Sequence, residues 1–395
     1  MRIGIFTFRI TDRPTGLANY ARSLSYALAD LDDHVEVILL NPHPESKLQW
    51  YRDFATWPLR STSEPSSYGY ILATAPFRLR KAAKKMKLDV LHAPGNVAPF
   101  IGPRSGTARV ATVHDVAPLA LPAEHRARAR LAYWVGVPPL RWTADAVIAD
   151  SAAAARDISR YAKLSSDLLH VVHIGTDSVD DAQIQERQHG AAAVTRSLGV
   201  SGPYFLVVGD LRPRKNVARV VQAFREVQMR HPDSHLIVIG QQMHRGEEIT
   251  RAAEGVPGVV FAGYVTDAQR AALYAGAQAL VFPSLYEGFG LPILEAMAVG
   301  TPVITSDRSS MPEVAGGAAL LIDPYDTEAI VTAMTRVLTD RDLATQLSRA
   351  GVNRARELTW ESTARQTLAI YRKVAGHGQH SRLVPDSIHG HIADA

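Results

Sequence analysis

Short runs of valine, isoleucine and leucine alternate with longer segments of helical periodicity from the first residue to about residue 370. Such apolar runs are typical of strands buried on both faces, which occur in parallel sheets whose connections are helices. The alternation therefore predicts an α/β protein built from βαβ units. The expected strands are residues 2–7, 34–40, 89–92, 108–113, 146–149 and 170–173 in the first half, and 204–208, 235–239, 259–262, 279–282, 302–305 and 319–322 in the second.

Two runs of six strands predict two doubly wound sheets, because 395 residues exceed the length that one hydrophobic core usually spans. A polar stretch without a strand pattern, Asp177 to Gly199, separates the two runs. Residues 49–67 are expected to form a loop-rich insertion. The predicted division is an N-terminal domain at 1–180, a linker region at 181–199, a second domain at 200–358, a C-terminal helix at 359–375 that packs back toward the first domain, and a mobile tail at 376–395.

The sequence contains no cysteine, which excludes disulfides, a thiolate nucleophile and cysteine-ligated metal centres, and which fits a reducing cytosol. No charged leader precedes an apolar stretch at the N-terminus, and no apolar run reaches the ~18 residues of a membrane span. A formal charge of +4 is small for this length and does not by itself indicate nucleic acid. We expect a cytoplasmic protein that does not bind nucleic acid.

The positive charge is unevenly distributed along the chain. Six basic residues and no acidic residue lie between Arg78 and Lys87. Arg126, Arg128 and Arg130 precede an aliphatic and aromatic segment that includes Trp134. Basic and aromatic groups together suit an anionic membrane interface. The first domain is therefore predicted to contact the inner face of a membrane peripherally, the alternative being a solvated helix face.

A glycine-rich loop in the second half carries the most specific pattern. A strand ends at residue 282, the loop contains Glu287, and a helix opens near Pro292, a residue suited to a first helical turn. The free N–H groups of Phe289 and Gly290 can hold an anion there. Glu295 falls in an otherwise apolar helix, where a carboxylate needs hydrogen-bond donors that ligand hydroxyls would supply. The alternative is an acidic turn residue and a solvated surface glutamate.

Three further loops follow expected strands, where ligands of open parallel sheets bind. Arg214 and Lys215 stand between a strand and a helix start, which suits a diphosphate unless they form a solvated basic turn. His114 can bond a sugar hydroxyl, transfer a proton or cap a neighbouring helix. Gly16 precedes the first helix without a G-x-G-x-x-G pattern, so a dinucleotide-binding assignment is poor.

Glu287 and Glu295, with seven residues between them, resemble the E-x7-E motif of the retaining glycosyltransferases of family GT4. The resemblance extends over nearly the whole chain, and the contexts of His114 and of the loop Gly209 to Asn216 look most like the bacterial mannosyltransferase branch. It implies the GT-B fold, in which two Rossmann-like, doubly wound parallel-sheet domains face each other across a cleft.

The resemblance also implies a role for each matching residue. Glu295 would bind the ribose hydroxyls and Glu287 a donor-hexose hydroxyl, while Arg214 and Lys215 would hold the diphosphate. Two positions depart from the family pattern: Thr15 replaces a glycine, and Asp210 replaces the arginine of some members. The remaining positions implied in the sugar-nucleotide site are His114 beside the sugar, Gly16 against the phosphates, the backbone donors Phe289, Gly290 and Leu291, and Asp115, Gly209, Asn216 and Gly288.

The implied reaction transfers a hexose, with mannose from GDP-mannose favoured, to a hydroxyl of a glycan, glycolipid or lipid-linked acceptor in cell-surface polysaccharide or glycoconjugate biosynthesis. The acceptor attacks from the face that the diphosphate leaves, and the protein positions charge without a covalent step, a metal ion or a cofactor. The alternatives are transfer from a UDP-sugar to a small molecule, a sugar-nucleotide epimerase or phosphorylase, and a binding protein without turnover. The E-x7-E spacing disfavours the epimerase and the phosphorylase.

Overall fold

The computed structural model describes residues 1–8, 10, 15–43, 48–59, 70–102, 106–177, 179–241 and 247–380. Two parallel sheets of seven and six strands form two α/β domains, which confirms the expected fold class. All twelve expected strands are present, each within two residues of its expected bounds.

The first sheet has the strand order β3-β2-β1-β4-β5-β6-β7, and its neighbouring strands all pair in parallel. Its strands are β1 (Arg2–Phe6), β2 (Glu36–Asn41), β3 (Ala55–Pro58), β4 (Val90–Ala93), β5 (Ala108–Thr112), β6 (Ala146–Ala149) and β7 (Leu169–Val171). The helices of this half are α1 (Gly16–Leu31), α2 (Ala75–Met86), α3 (Ala117–Ala120), α4 (Ala127–Gly136), α5 (Leu140–Thr143), α6 (Ala152–Ala162) and α7 (Asp181–Ser197).

The second sheet repeats this arrangement in the order β10-β9-β8-β11-β12-β13, again with all neighbours parallel. Its strands are β8 (Tyr204–Val208), β9 (His235–Ile239), β10 (Val259–Gly263), β11 (Ala279–Phe282), β12 (Val303–Ser306) and β13 (Leu320–Ile322). The helices are α8 (Val217–Arg230), α9 (Glu247–Ala253), α10 (Asp267–Gly276), α11 (Leu291–Ala298), α12 (Met311–Ala315), α13 (Thr327–Thr339), α14 (Arg341–Glu357) and α15 (Trp360–His380).

Strand β3 is the element that the sequence did not indicate. It lies in the expected loop-rich insertion and pairs only with β2, at the edge of the sheet. An edge strand is not buried on both faces, so it needs no continuous apolar run, and proline at its end is tolerated there. Residues 60–67 of the expected insertion lie outside the described residues.

The linker region contains a helix, α7, that begins with a capping box between Asp180 and Gln183. The sequence of α7 is polar because much of the helix surface is exposed. The helix packs against α10 of the second domain. The C-terminal helix α15 extends to His380, so 376–380, expected to belong to a mobile tail, are helical. Residues 381–395 of that expected tail lie outside the described residues.

Helix α15 follows the second domain in the chain but packs against α1 and β5 of the first. The hydroxyl of Tyr371 lies 2.6 Å from Nδ1 of His92, whose Nε2 lies 2.8 Å from Oγ1 of Thr112. Burial first, and then the charge of His114, lower the pKa of His92 to about 3, so His92 is neutral. A buried polar network therefore joins the end of the chain to the core of the first domain. Within the described ranges, no helix is long and apolar enough to cross a membrane.

Candidate active site

The strand order reverses direction once in each sheet, between β1 and β4 and between β8 and β11. The loops after those strands diverge at the reversal and leave a crevice where ligands of such sheets bind. The loops Gly209 to Asn216 and Pro283 to Gly290 follow β8 and β11. The topology therefore places the two most specific sequence patterns of the second domain side by side.

Glu287 forms two ion pairs across this crevice. Its Oε1 lies 2.8 Å from Nη1 of Arg214 and 2.7 Å from Nζ of Lys215, and the three side chains are between 11% and 16% exposed. Burial alone raises the pKa of Glu287, but the charges of Arg214 and Lys215 outweigh burial and lower that pKa from 4.5 to about 2. Burial is also the main reason that the pKa of Lys215 is lowered. The cluster is thus two cations around one permanently ionised carboxylate.

The loop after β8 is shaped to present these cations. Gly209 has φ +137°, a backbone conformation that other residues rarely adopt, and a side chain on it would press against Lys215. The amide of Asn216 donates to the carbonyls of Pro324, at 2.6 Å, and Pro283, at 3.3 Å. Asn216, predicted to bind the sugar nucleotide, therefore fixes the loop through its side chain.

The loop of Glu287 is held by two serines that follow β12. Ser309 Oγ donates to the carbonyl of Glu287 at 2.7 Å, and Ser310 Oγ donates to the carbonyl of Phe289 at 2.5 Å. Gly290 has φ +110° and is the N-cap residue of α11. Within the described part of the chain, the N–H groups of Phe289 and Gly290 donate to no acceptor. Free N–H groups beside a helix start can bind an anion, and that role for Phe289 and Gly290 stays a prediction.

Glu295 on α11 belongs to a separate cluster. Its Oε2 accepts a hydrogen bond from the hydroxyl of Tyr274 at 2.8 Å, and its Oε1 lies 3.8 Å from Nη2 of Arg270. The sequence assigned the compensating donors to ligand hydroxyls, whereas Tyr274 on α10 of the same domain supplies one donor and Arg270 on that helix supplies a nearby positive charge. The Glu295 side chain is 23% exposed, so it also faces open space.

His114 follows β5 and is held on both ring nitrogens. Nδ1 lies 2.6 Å from Oδ2 of Asp150, and Nε2 lies 2.9 Å from the carbonyl oxygen of Pro94. Burial alone lowers the pKa of His114, but the charge and hydrogen bond of Asp150, with the Pro94 carbonyl, raise it above its ordinary value. Both nitrogens donate to acceptors, so the imidazolium is favoured, and the edge-on ring of Tyr20 packs against it.

Asp115 and Asn96 organise the backbone around His114. Oδ1 of Asp115 accepts from the N–H of Ala117 at 2.9 Å, and Oδ1 of Asn96 accepts from the N–H of His114 at 2.6 Å. The carboxylate of Asp115 also acts electrostatically on Arg214 of the other domain. This loop therefore faces the Glu287 cluster across the cleft.

The two domains touch at Gly288. A side chain on Gly288 would overlap the carbonyl group of His114, so only glycine allows this approach. Ser151 Oγ donates to the carbonyl of Gly288 at 2.6 Å while it accepts from the N–H of Ala154 at the start of α6. Nearby, the Glu313 carboxylate accepts from the N–H groups at the start of α6.

Gly16 is the first residue of α1 and is exposed, and among the described residues no atom lies within 4 Å of the position of an added side chain. Its contact with the phosphates stays a prediction. The structure brings the loops of His114, Lys215 and Glu287 together, and it gives Glu295 its own partners. The sequence analysis missed Tyr274, Asp150 and Ser151 as supporting residues.

Two family models match this chain. The Glycosyltransferase Family 4 model matches residues 14–179, and the Glycosyl transferases group 1 model matches residues 197–354. The chain is 38% identical over 179 residues to the O-antigen chain mannosyltransferase B of Escherichia coli, with 43% of this chain and 45% of the relative covered. It is 28% identical to the MMP alpha-(1->4)-mannosyltransferase of Mycolicibacterium hassiacum, with 94% and 98% covered. The chain spans less than half the length of the E. coli mannosyltransferases that it matches.

Solved structures share the fold at low identity. The sucrose-phosphate synthase of Thermosynechococcus elongatus has a TM-score of 0.74 and 21% identity, with 95% of this chain and 99% of that chain covered. WaaG, a glycosyltransferase involved in lipopolysaccharide biosynthesis, has a TM-score of 0.68 and 16% identity, with 95% and 100% covered. With the family models on both halves and the E-x7-E loop at the switch point, this chain belongs to the family 4 glycosyltransferases, which have the GT-B fold.

Proposed function

We propose that this protein is a retaining hexosyltransferase that transfers mannose from GDP-mannose to a hydroxyl of a glycan, glycolipid or lipid-linked acceptor in the synthesis of cell-surface polysaccharides or glycoconjugates. The observation that carries the proposal is the cluster of Glu287, Arg214 and Lys215 at the switch point of the second sheet. The choice of mannose is supported by the names of the relatives from E. coli and M. hassiacum, which are mannosyltransferases.

The charges of the cluster suit a departing diphosphate. Two cations and one carboxylate leave one positive charge, and the free N–H groups of Phe289 and Gly290 add partial positive charge. Fixed cations and helix ends take the place of a metal ion in this proposal, and no cofactor enters. The buried cations of Arg214 and Lys215 are already oriented, so they need little reorganisation when the bond breaks.

Glu287 acts in this proposal as a hydrogen-bond acceptor. Both of its ion pairs use Oε1, and within the described part of the chain Oε2 forms no ion pair, which leaves it for a hydroxyl of the donor sugar. With a pKa of about 2, its carboxylate is a weak base at neutral pH. The acceptor oxygen bonds to the anomeric carbon as the bond from that carbon to the phosphate breaks, and the acceptor proton passes to the leaving phosphate.

A thermal-shift panel tests the donor assignment, because a ligand that binds the folded state raises its melting temperature. GDP and GDP-mannose should raise the melting temperature of the wild type more than UDP or UDP-glucose. The Arg214→Gln/Lys215→Gln variant should lose most of the shift with GDP but not with guanosine, whereas the control Arg212→Gln, in the same loop, should retain both. A larger shift with UDP-glucose would support the UDP-sugar alternative instead.

Turnover separates a transferase from a binding protein. GDP-mannose with methyl α-mannoside as the acceptor should yield free GDP and a product whose new linkage has the α configuration by NMR. A β linkage would contradict retention. Binding of GDP-mannose without GDP release for any hydroxyl acceptor would favour a binding protein without turnover.

The lipid-linked acceptor is supported by the surface of the first domain, which we propose meets the cytoplasmic face of a membrane. Leu131 and Trp134 on α4 are 61% and 71% exposed, and Phe77 on α2 is 67% exposed beside the basic segment 78–87. At about 1 kcal/mol for each basic residue near an anionic surface, six would give salt-sensitive binding. Sedimentation with anionic vesicles should fall with added salt, and a protein that stays in the supernatant at low salt contradicts the contact.

A further inference from the structure

A cavity of about 560 Å³ lies between helix α2 and residues 99–101 and 106–107, which precede β5. One face of α2, including Leu79, Arg80 and Lys84, forms one wall, and Phe100 and Ile101 form part of the other. Residues at helical spacing line the cavity together, because positions three and four apart share a helix face. The basic segment 78–87 therefore lines a partly open cavity as well as the outer surface of the domain.

Basic side chains dominate the described lining of this cavity. Arg80, Lys84, Lys87 and Arg109 are basic and Asp89 is acidic, and the guanidinium of Arg109 already donates to the carbonyls of Gly102 and Thr143. Within the part of the chain that the structure describes, Arg80, Lys84 and Lys87 form no ion pair with an acidic residue. Unneutralised cations around a small cavity attract an anion that can accept several charge-assisted hydrogen bonds, and a phosphate group has three such oxygens.

The cavity also has an apolar side. Leu79, Leu88 and Phe100 are already buried, so the exposed apolar surface of the lining belongs mainly to Ile101, which is 40% exposed. An inorganic anion would leave Ile101 in contact with water, whereas an alkyl chain attached to the phosphate would cover it. The chemistry of the lining therefore matches a phosphate carried on a hydrocarbon chain.

The cavity is separate from the candidate active site. Asp89 and Thr107 line it immediately before β4 and β5 begin, whereas His114 lies just beyond the far end of β5. A strand of five residues is about 16 Å long, so the length of the sheet separates the two places. The cations of the cavity are not available to the donor diphosphate.

We propose that this cavity binds the phosphate group of a phosphorylated lipid, with the first part of its hydrocarbon chain against Ile101. The inference makes the membrane contact proposed above specific and rests on it, but it does not depend on the transfer reaction. The cavity binds one lipid phosphate. This binding adds to the non-specific attraction between the basic face of α2 and an anionic membrane surface.

Calorimetry with decyl phosphate, kept below its micelle concentration, tests the site. Wild-type protein should bind decyl phosphate with saturation at one per chain, and inorganic phosphate much more weakly. Lys84→Glu should weaken decyl phosphate binding by about tenfold or more, because an attractive charge in the cavity becomes repulsive. The matched control Lys81→Glu changes the same charge on an exposed position of α2 that does not line the cavity, and should change binding by less than about threefold.

The outcomes separate this site from its alternatives. Equal losses of decyl phosphate affinity in Lys84→Glu and Lys81→Glu would overturn the cavity as the binding site and leave only a charged surface. Inorganic phosphate as strong as decyl phosphate, or preferential binding of a phosphoserine peptide, would overturn the lipid as occupant. GDP binding should be unchanged in both Lys84→Glu and Lys81→Glu. Wild-type protein that fails to bind GDP would therefore contradict the transferase proposal without affecting the cavity. Decyl phosphate binding without vesicle binding would overturn the membrane contact and, with it, the assignment of a membrane lipid to the cavity.

Discussion

The two glutamates of the E-x7-E loop differ in their surroundings, and this difference predicts different functional consequences. Glu287 is buried between two cations, whereas Glu295 is bonded to a tyrosine hydroxyl beside a more distant arginine. Under the proposed function, loss of Glu287 removes a charge beside the reacting sugar, and loss of Glu295 removes a polar contact with the nucleotide.

Glu287→Gln should lower kcat by about a hundredfold or more while GDP still binds, because a group that acts on the reacting sugar contributes mainly in the transition state. Glu295→Gln should raise KM for GDP-mannose and leave kcat within about threefold. Steady-state kinetics and GDP titration check both. Wild-type kcat in Glu287→Gln would contradict the assignment.

The raised pKa of His114 predicts that the stability of the protein depends on pH. Its pKa is raised in the folded protein, so its stabilising effect is complete below the ordinary value of 6.5 and is lost as pH rises through the raised pKa. The melting temperature of wild type should therefore exceed that of His114→Gln most at about pH 6, and the difference should shrink by about pH 9. Asp150→Asn, which removes the main partner, should abolish this pH dependence. A difference that grows with pH would contradict the imidazolium.

At the scale of elements, the loop between β11 and α11 is where two domains meet. Gly288→Ala should separate this loop from the His114 carbonyl and lower kcat/KM by about tenfold or more, since small displacements of catalytic groups are costly. The control Gly190→Ala places the same methyl group on α7 at ordinary contact distance and should retain activity. Kinetics of both variants with GDP-mannose check this, and full activity in Gly288→Ala would show that the approach is dispensable.

At the scale of the whole molecule, the carboxylate of Glu313 in the second domain contacts the first domain. Its carboxylate accepts from the N–H of Ala152 at 2.7 Å and of Ala153 at 3.2 Å, at the start of α6, and lies 2.7 Å from Nε2 of His173. A negative charge at a helix N-terminus is stabilising, so the Glu313 carboxylate stabilises this contact between the two domains.

Glu313→Gln should loosen that contact, increase the radius of gyration measured by small-angle scattering without ligand, and raise KM for the donor. The control Glu328→Gln removes an exposed carboxylate from the first turn of α13, where no domain contact depends on it. An unchanged radius and KM in Glu313→Gln would mean that other contacts suffice to hold the domains.

The sequence by itself determined the two sheets and most of the site loops. Continuous apolar runs such as Tyr204–Val208 have no stable place except between two layers of helices, so their number and spacing specify two parallel sheets. Ligand-binding loops then follow from topology, because the carboxyl ends of parallel strands share one edge. The E-x7-E loop and Arg214 with Lys215 could be identified for this reason.

Only the tertiary structure decided which partners those residues have. The edge strand β3 has no apolar pattern, and the pairing of Glu295 with Tyr274 or of His114 with Asp150 joins residues 21 and 36 positions apart. Local pattern cannot encode such contacts, since they depend on how whole elements pack. The approach of Gly288 to His114 and the cationic cavity beside α2 arise in the same way, from segments distant in sequence that folding brings together.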